Sequence, residues 1–305
     1  MKAIEESGYI PSAVARSLSV QNSHNIGVIF PDIENPFFSS ALGGITQVAE
    51  KSDYNVFFFN TDESAKKEHV FLNMVQRQRL DGIILSPANG FDVETRETLE
   101  KFDKQGVPVV LLDRKLYGGN FSIVEAEDRI GAYMAVKQFV LEGHRRIAMI
   151  QGLSTHSPIM ERAAGFHQAM EEFHIPLPDE YVLGTDQKSE LAYEATKVLM
   201  NLSEPPTAIF TCNNMMTLGC LKYLTEHGIV IGKDISLIGF DDIDILKVID
   251  YHLSVVDRSA RDMGKIAMEL LLERLEQPEC ENRSVTVPSS LILRGTEKCR
   301  PEILK

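Results

Sequence analysis

Tryptophan is absent from the 305 residues, and the four cysteines (Cys212, Cys220, Cys280, Cys299) form no Cys-x-x-Cys pair. That is too few for a disulfide framework, and stacking on a ligand's flat face falls to Phe or Tyr. No apolar run approaches the roughly 20 residues that span a bilayer. The segment Met1 to Pro11 lacks the apolar core of a signal peptide. Positive charge is also short, with 31 Lys+Arg against 44 Asp+Glu and a net charge of −13. Such acidity argues against coating nucleic acid or an anionic membrane by bulk charge. These absences predict a cytoplasmic protein with no membrane partner. What is present, 44% hydrophobic and 25% charged residues, is ordinary globular composition, and the length suits two domains.

Signatures of catalysis are missing too. No Gly-x-Ser-x-Gly elbow occurs. Gly228-Ile-Val-Ile-Gly-Lys-Asp234 is one residue short of a phosphate loop and carries Asp where Ser or Thr must hold magnesium, so it reads as a turn. The eight histidines are scattered, with no His-x-x-x-His and no Cys/His cluster at zinc spacing. His144, just past a helix-ending glycine, reads as a cation suited to the helix dipole. Asp241-Asp242 is a candidate acid pair but looks more like part of a binding set. The sequence predicts neither an enzyme, nor a cofactor, nor a metal.

Short apolar runs recur along the chain: Ile26–Phe30, Val56–Phe59, Ile83–Leu85 and Val107–Leu112. Their starts lie 30, 27 and 24 residues apart, the length of one βα unit. Apolar at consecutive positions, they read as strands buried on both faces of a parallel sheet. The pattern breaks at Gly118-Gly119-Asn120, passes a short strand at Ser122–Val124, and resumes with a helix over Asp128–Leu141. Strands follow at Arg146–Ile150, Ala208–Cys212 and Ile235–Phe240, then a helix over Ala260–Glu276 and closing strands Ser284–Val287 and Ser290–Arg294. Two doubly wound α/β halves predict a cleft between them, with ligands outside the carboxyl ends of the strands. Those ends read Pro31-Asp32, Asp113-Arg114, Cys212-Asn213-Asn214 and Phe240-Asp241-Asp242.

From Gly8-Tyr-Ile-Pro-Ser-Ala-Val-Ala-Arg-Ser-Leu18 onward the sequence resembles the LacI/GalR family of bacterial transcription regulators. The resemblance continues through Asp32-Ile-Glu-Asn-Pro-Phe-Phe38, Val107-Pro-Val-Val-Leu-Leu-Asp-Arg114, Gly143-His-Arg-Arg-Ile-Ala148 and Arg162-Ala-Ala-Gly-Phe166. It ends with Pro205-Pro-Thr-Ala-Ile-Phe210 and Asp234-Ile-Ser-Leu-Ile-Gly-Phe-Asp-Asp242. It implies a type I periplasmic-binding-protein-like core: two doubly wound parallel-sheet subdomains joined by three crossovers, placed near Glu125, Ser254 and Pro288. Residues 1–10 would be a remnant of the DNA-binding domain and 11–24 the hinge helix and linker. Residues 25–125 with 255–287 would form one subdomain, and 126–254 with 288–305 the other.

The resemblance implies a homodimeric repressor that couples effector-driven closure to operator binding. Most of the family's helix-turn-helix domain is absent, so operator binding is expected only with it. In the hinge, Pro11 suits a first helical position, Ala15 lies on a small apolar face, Arg16 is available for phosphate, and Leu18 matches the family's minor-groove wedge. The effector, a sugar or sugar derivative, would meet Phe37 and Phe38 as an apolar wall. Asp113, Arg162, Asn213 and Asp241 would be its polar contacts, with Gln187 and Arg258 at variable positions. A basic Arg258 points to an anionic effector, a sugar acid or phosphate. Tyr117 is a further stacking candidate, Arg114 is expected to pair with a carboxylate, and Asp242 to be structural. Asn214 and Glu127-Asp128 depart from the family's usual Asp and Asp-Asn. The helices after Pro36 and from Asn214 to Gly228 are candidates for the dimer interface. The alternatives are a solute-binding protein for transport, or a truncated effector-binding protein without DNA binding. Residues 1–25 carry Lys2 and Arg16 against Glu5 and Glu6, so the acidity belongs to the core.

Overall fold

Alternating strands and helices build two sheets of the same design. The structure, a computed structural model, describes residues 23–186 and 188–298. The hinge candidates Pro11, Ala15, Arg16 and Leu18, and the pocket candidate Gln187, lie outside the described residues.

The first half runs β1 (Asn25–Phe30), α1 (Pro36–Lys51), β2 (Asn55–Asn60), α2 (Ala65–Gln78), β3 (Gly82–Leu85), α3 (Val93–Lys104), β4 (Val109–Leu112) and β5 (Ser122–Ala126). The second runs α4 (Asp128–Leu141), β6 (Ile147–Gln151), α5 (Ser157–Glu172), β7 (Val182–Gly184), α6 (Ser189–Met200), β8 (Ala208–Thr211), α7 (Asn214–Glu226), β9 (Ser236–Phe240), α8 (Asp244–Val248) and β10 (Ser254–Asp257). The chain closes with α9 (Ala260–Glu276), β11 (Ser284–Val287) and β12 (Ser290–Ile292). Helix starts follow from capping chemistry: the side chains of Asn35, Ser64, Asp92 and Asn213 each accept a hydrogen bond from a first-turn N–H.

The first sheet has the order β11-β5-β4-β3-β1-β2 and the second β12-β10-β9-β8-β6-β7. All pairings are parallel except β10 with β12, which is antiparallel. The chain passes between the sheets after β5, after β10 and between β11 and β12. The second passage is a correction. It was expected near Ser254, but Ser254, Val255 and Val256 pair with Ile238, Gly239 and Phe240 of β9, so the crossing lies beyond Asp257. Ala126 likewise still belongs to the first sheet, in register with Val287.

β2 is another correction. Its Val56–Phe59 run is apolar at consecutive positions, yet β2 is an edge strand and Phe57 is 44% exposed. The first sheet is covered by α1 and α9 on one face, around Ile26, Phe30, Ile45 and Met268, and by a second cluster around Leu72, Leu99 and Phe102 on the other. The second sheet is the centre of one continuous core including Phe139, Phe166, Phe210 and Phe240. α1 and α9 approach closely because each offers a glycine: a β-carbon on Gly44 would lie 2.0 Å from the Arg261 carbonyl oxygen, and one on Gly264 2.0 Å from that of Ala41.

Candidate functional site

Strand ends of both sheets face each other across a cleft. Asp113 follows β4, and Asp241 follows β9, at matching places in the two halves. Both have left-handed backbones (φ 68° and 67°), a conformation Asp tolerates better than most residues. Each N–H is bonded at 2.8 Å to the next strand, Asp113 to the Val124 carbonyl and Asp241 to that of Val256. This turns both side chains out of their sheets into the same space. Phe37 and Phe38, in the first turn of α1, supply an apolar wall and meet edge to face at 5.1 Å. Asn213, at the end of β8, and Arg162, on α5, line the opposite side, and Arg258 enters from the second passage.

The cavity enclosed is about 20 Å³, room for water and not for a ligand. Guanidinium groups fill it. Arg258 donates from Nε to Asp241 Oδ1 at 2.9 Å and from Nη1 to Asp113 Oδ1, and stacks 4.1 Å from the Phe37 ring centre. Burial would lower its pKa, but Asp113, Asp241 and Asp128 outweigh that and raise it. Arg162 donates from Nε to Asp128 Oδ1 at 2.8 Å and from Nη1 to the Cys212 carbonyl, and lies 3.6 Å over the Phe240 ring. Its Nη2 is 2.7 Å from the same Asp128 oxygen but lacks hydrogen-bonding alignment. Burial pushes the Asp128 carboxyl up despite both arginines. Asn213 Oδ1 caps α7 through Met216 N at 2.7 Å, so its amide N–H is what it can offer a ligand.

Arg258 does not present a free cation. Asp113 and Asp241 both engage it, Asp128 lies 3.7 Å away, and Arg162 is likewise held by Asp128.

The other residues singled out lie at and beyond this centre. Arg114 is paired bidentately with Glu63 at 2.7 Å on both arms. Burial would raise the Glu63 carboxyl, and the guanidinium holds it below the usual carboxylate range. Asp242 is gripped by Arg294 (2.6 and 3.0 Å) and Lys247 (2.9 Å), outside the cavity. Tyr117 stacks on Phe91 at 4.6 Å, away from the lining. Asn214 donates across the cleft to Asn35 Oδ1 at 3.0 Å. His144 is a correction: it is fully buried, bonded to Thr207 Oγ1 at 2.9 Å and near the Glu297 carbonyl at 3.3 Å. Burial pushes its pKa down to about 4, so it is neutral and not a helix-end cation.

Sequence reasoning missed Asn35, His156, Glu63 and Asp128 as parts of the site. His156, ahead of α5, is 2.8 Å from the Ala88 carbonyl and 3.3 Å from Arg114 Nη1. Burial, then Arg114, pushes its pKa down to about 4. Its neighbours also cross the cleft, where Gly90 N donates to Thr155 O at 3.1 Å and Lys115 N to Ser157 Oγ at 2.8 Å. Asn35 had a signal, its place inside the Asp32–Phe38 motif; His156 and Glu63 had none. A larger hollow of about 460 Å³ lies under the first sheet, beside Arg79, Asp81 and Arg274, and takes in no expected site residue. Among the described residues, no group of three or more His, Cys, Asp or Glu is placed to hold a metal ion, and no helix is long and apolar enough to cross a membrane.

The periplasmic binding protein-like domain family matches residues 136–296. The HTH-type transcriptional repressor PurR of Vibrio vulnificus is 31% identical over 298 residues, covering 98% of this chain and 88% of that protein. The ribose operon repressor of Haemophilus influenzae is 28% identical, covering 96% and 87%. Among solved structures, a LacI family transcriptional regulator from Enterococcus faecium with bound ribose superposes with a TM-score of 0.80 at 28% identity, covering 90% of this chain and 98% of that one.

Proposed function

The chain belongs to the LacI/GalR family of bacterial transcription regulators, and from that premise we propose that it is a cytoplasmic repressor whose subdomains close on a neutral, hydroxyl-rich effector, a pentose of the ribose kind. The observation that carries this reading is the pair Asp113 and Asp241, one from each sheet, facing one space beside Phe37 and Phe38. A carboxylate accepts from adjacent hydroxyls, and an aromatic wall covers the apolar face of a sugar ring. The relative named for a ribose operon and the neighbour holding ribose support the same class. Each guanidinium of the site, Arg114, Arg162 and Arg258, is already paired with a carboxylate, which favours a neutral effector over a sugar acid or phosphate.

Closure changes the relative orientation of the subdomains, and in the homodimer this moves the paired hinges that meet the operator. Pro11, Ala15, Arg16 and Leu18 are the hinge residues of this reading, joined to a helix-turn-helix domain. Large exposed apolar side chains lie at Phe57, Val70 and Met74 around β2 and α2, and at Ile245, Val248 and Ile249 around α8. These differ from α1 and α7, the helices expected at the dimer interface.

Isothermal titration with ribose, other neutral pentoses, ribonate and ribose 5-phosphate tests the reading. Binding of a neutral pentose that is lost in Asp241→Ala supports it; binding confined to the anions overturns it. Sedimentation of a monomer at micromolar concentration would count against the dimer.

A further inference from the structure

One contact joins the two halves of the site through a single side chain. Arg258 bonds the carboxylate at the end of β4 in one sheet and that at the end of β9 in the other. We propose that Arg258 is an internal occupant of the cleft, holding on Asp113 and Asp241 the places that an effector's hydroxyls take, so that the effector binds by displacing it. This rests on the effector reading above and adds a determinant of affinity and selectivity to it.

Three observations carry the proposal. The guanidinium is buried, its side chain 2% exposed, against Asp113 and Asp241 that are themselves nearly buried. Its centre lies 4.1 Å from the centre of the Phe37 ring, the surface a sugar ring would cover. The cavity it shares with Asp113 and Asn213 is about 20 Å³, below the size of any sugar, and a separate hollow of about 190 Å³ touches Phe37, Asp241 and Arg258 without reaching Asp113. The halves are therefore already drawn together, with Asn35–Asn214 and Gly90–Thr155 bonded across the cleft.

Displacement sets the selectivity. Asp113 and Asp241 both lose a charge-assisted donor when the guanidinium leaves, and a buried carboxylate without a donor is costly. A ligand with hydroxyls for both carboxylates replaces what is lost; one that reaches a single carboxylate does not. A ligand lacking the second hydroxyl set is rejected by this exchange as well as by the bond it fails to make. The released guanidinium remains close to Asp128, which is 3.7 Å away in the filled state.

The experiment compares the full wild-type chain with Arg258→Gln by small-angle scattering and by titration with ribose. The double variant Asp128→Asn/Arg258→Gln removes one charge of each sign, and replaces the single variant should unbalanced carboxylates prevent folding. Wild type should be compact without ligand, and ribose, in taking the place of Arg258, should reorient its halves with a smaller change in radius of gyration than in the variant. The variant should be expanded without ligand and compact with it. Ribose should bind the variant about tenfold tighter, 1.4 kcal/mol. An arginine that merely holds the halves in place gives the opposite titration, with weaker binding in the variant. A variant as compact as wild type without ligand, or binding ribose no more tightly, overturns the proposal. Should neither protein bind ribose, the sugar reading fails, and the ligand-free scattering still decides the role of Arg258.

Discussion

Arg114 and Glu63 meet where both are nearly out of water, so neither tolerates the loss of the other. Removing one partner of a buried pair leaves an uncompensated charge, which costs about 3–5 kcal/mol. Arg114→Ala should destabilise by that order in urea denaturation, well beyond what an exposed arginine truncation costs. Protons act on the same corner. His156 and His144 have pKa values pushed down to about 4, against about 6.5 unfolded. A native state that keeps them neutral gains stability above pH 6.5 and loses it as pH falls from 6.5 to 4, by up to about 3 kcal/mol each. Glu63, held low by Arg114, loses its contribution only further into acid, and Arg114 and Asp113 also face His156. Thermal midpoints measured from pH 8 to 4 should fall through the histidine window, and His144→Gln with His156→Gln should flatten that part of the curve. The strand-end acids were legible in the sequence because polar residues directly after apolar runs are local signals. Glu63 and His156 were not, since Arg114 lies 51 and 42 residues from them. His144 misled because its partners, Thr207 and Glu297, are distant in the chain.

Elements reveal a different limit. The helices over Asp128–Leu141 and Ala260–Glu276 match their expected bounds, the first although no side chain caps it, the second because its Ser259 cap and amphipathic spacing are written within the segment. Edge position is not: Val56–Phe59 has the composition of a central strand, and only the sheet order places β2 outermost. β10, Ser254–Asp257, was missed as a strand of the second sheet because the resemblance implies a crossover at that place. Packing between α1 and α9 yields a prediction whose sign separates local from tertiary effects. Within an isolated helix, Gly264→Ala should stabilise by about 1 kcal/mol. Here the added carbon meets the Ala41 carbonyl at 2.0 Å, and backbone cannot swing aside as a side-chain tip can. Overpacking costs about 1–3 kcal/mol or more, so a net loss is expected in denaturant melts, and a gain would show that the helices part freely.

At the scale of the whole molecule, the apolar cores of the two sheets are separated by a polar cleft, and in the proposed reading an effector bonds to both sides of it. The cysteines report on this. Cys212 and Cys220 are fully buried in the second core, and burial pushes both thiols up to about 12, so neither reacts in the folded state. Cys280, only half buried, lies between α9 and β11 on the other subdomain. In a Cys280→Ser/Cys299→Ser background, a thiol reagent should therefore label only molecules whose second core has opened. A ligand bridging Asp113 and Asp241 stabilises the closed molecule by mass action, about 2.7 kcal/mol at 100 times Kd. Ribose at that concentration should then slow labelling of Cys212 and Cys220 about 100-fold, and Asp241→Ala should abolish the slowing. Labelling of Cys212 unaffected by a ligand that titration shows to bind would mean that β8 opens by local fluctuation. The two subdomains would then be thermodynamically separate bodies, with the cleft a place where they touch and not one through which they are coupled.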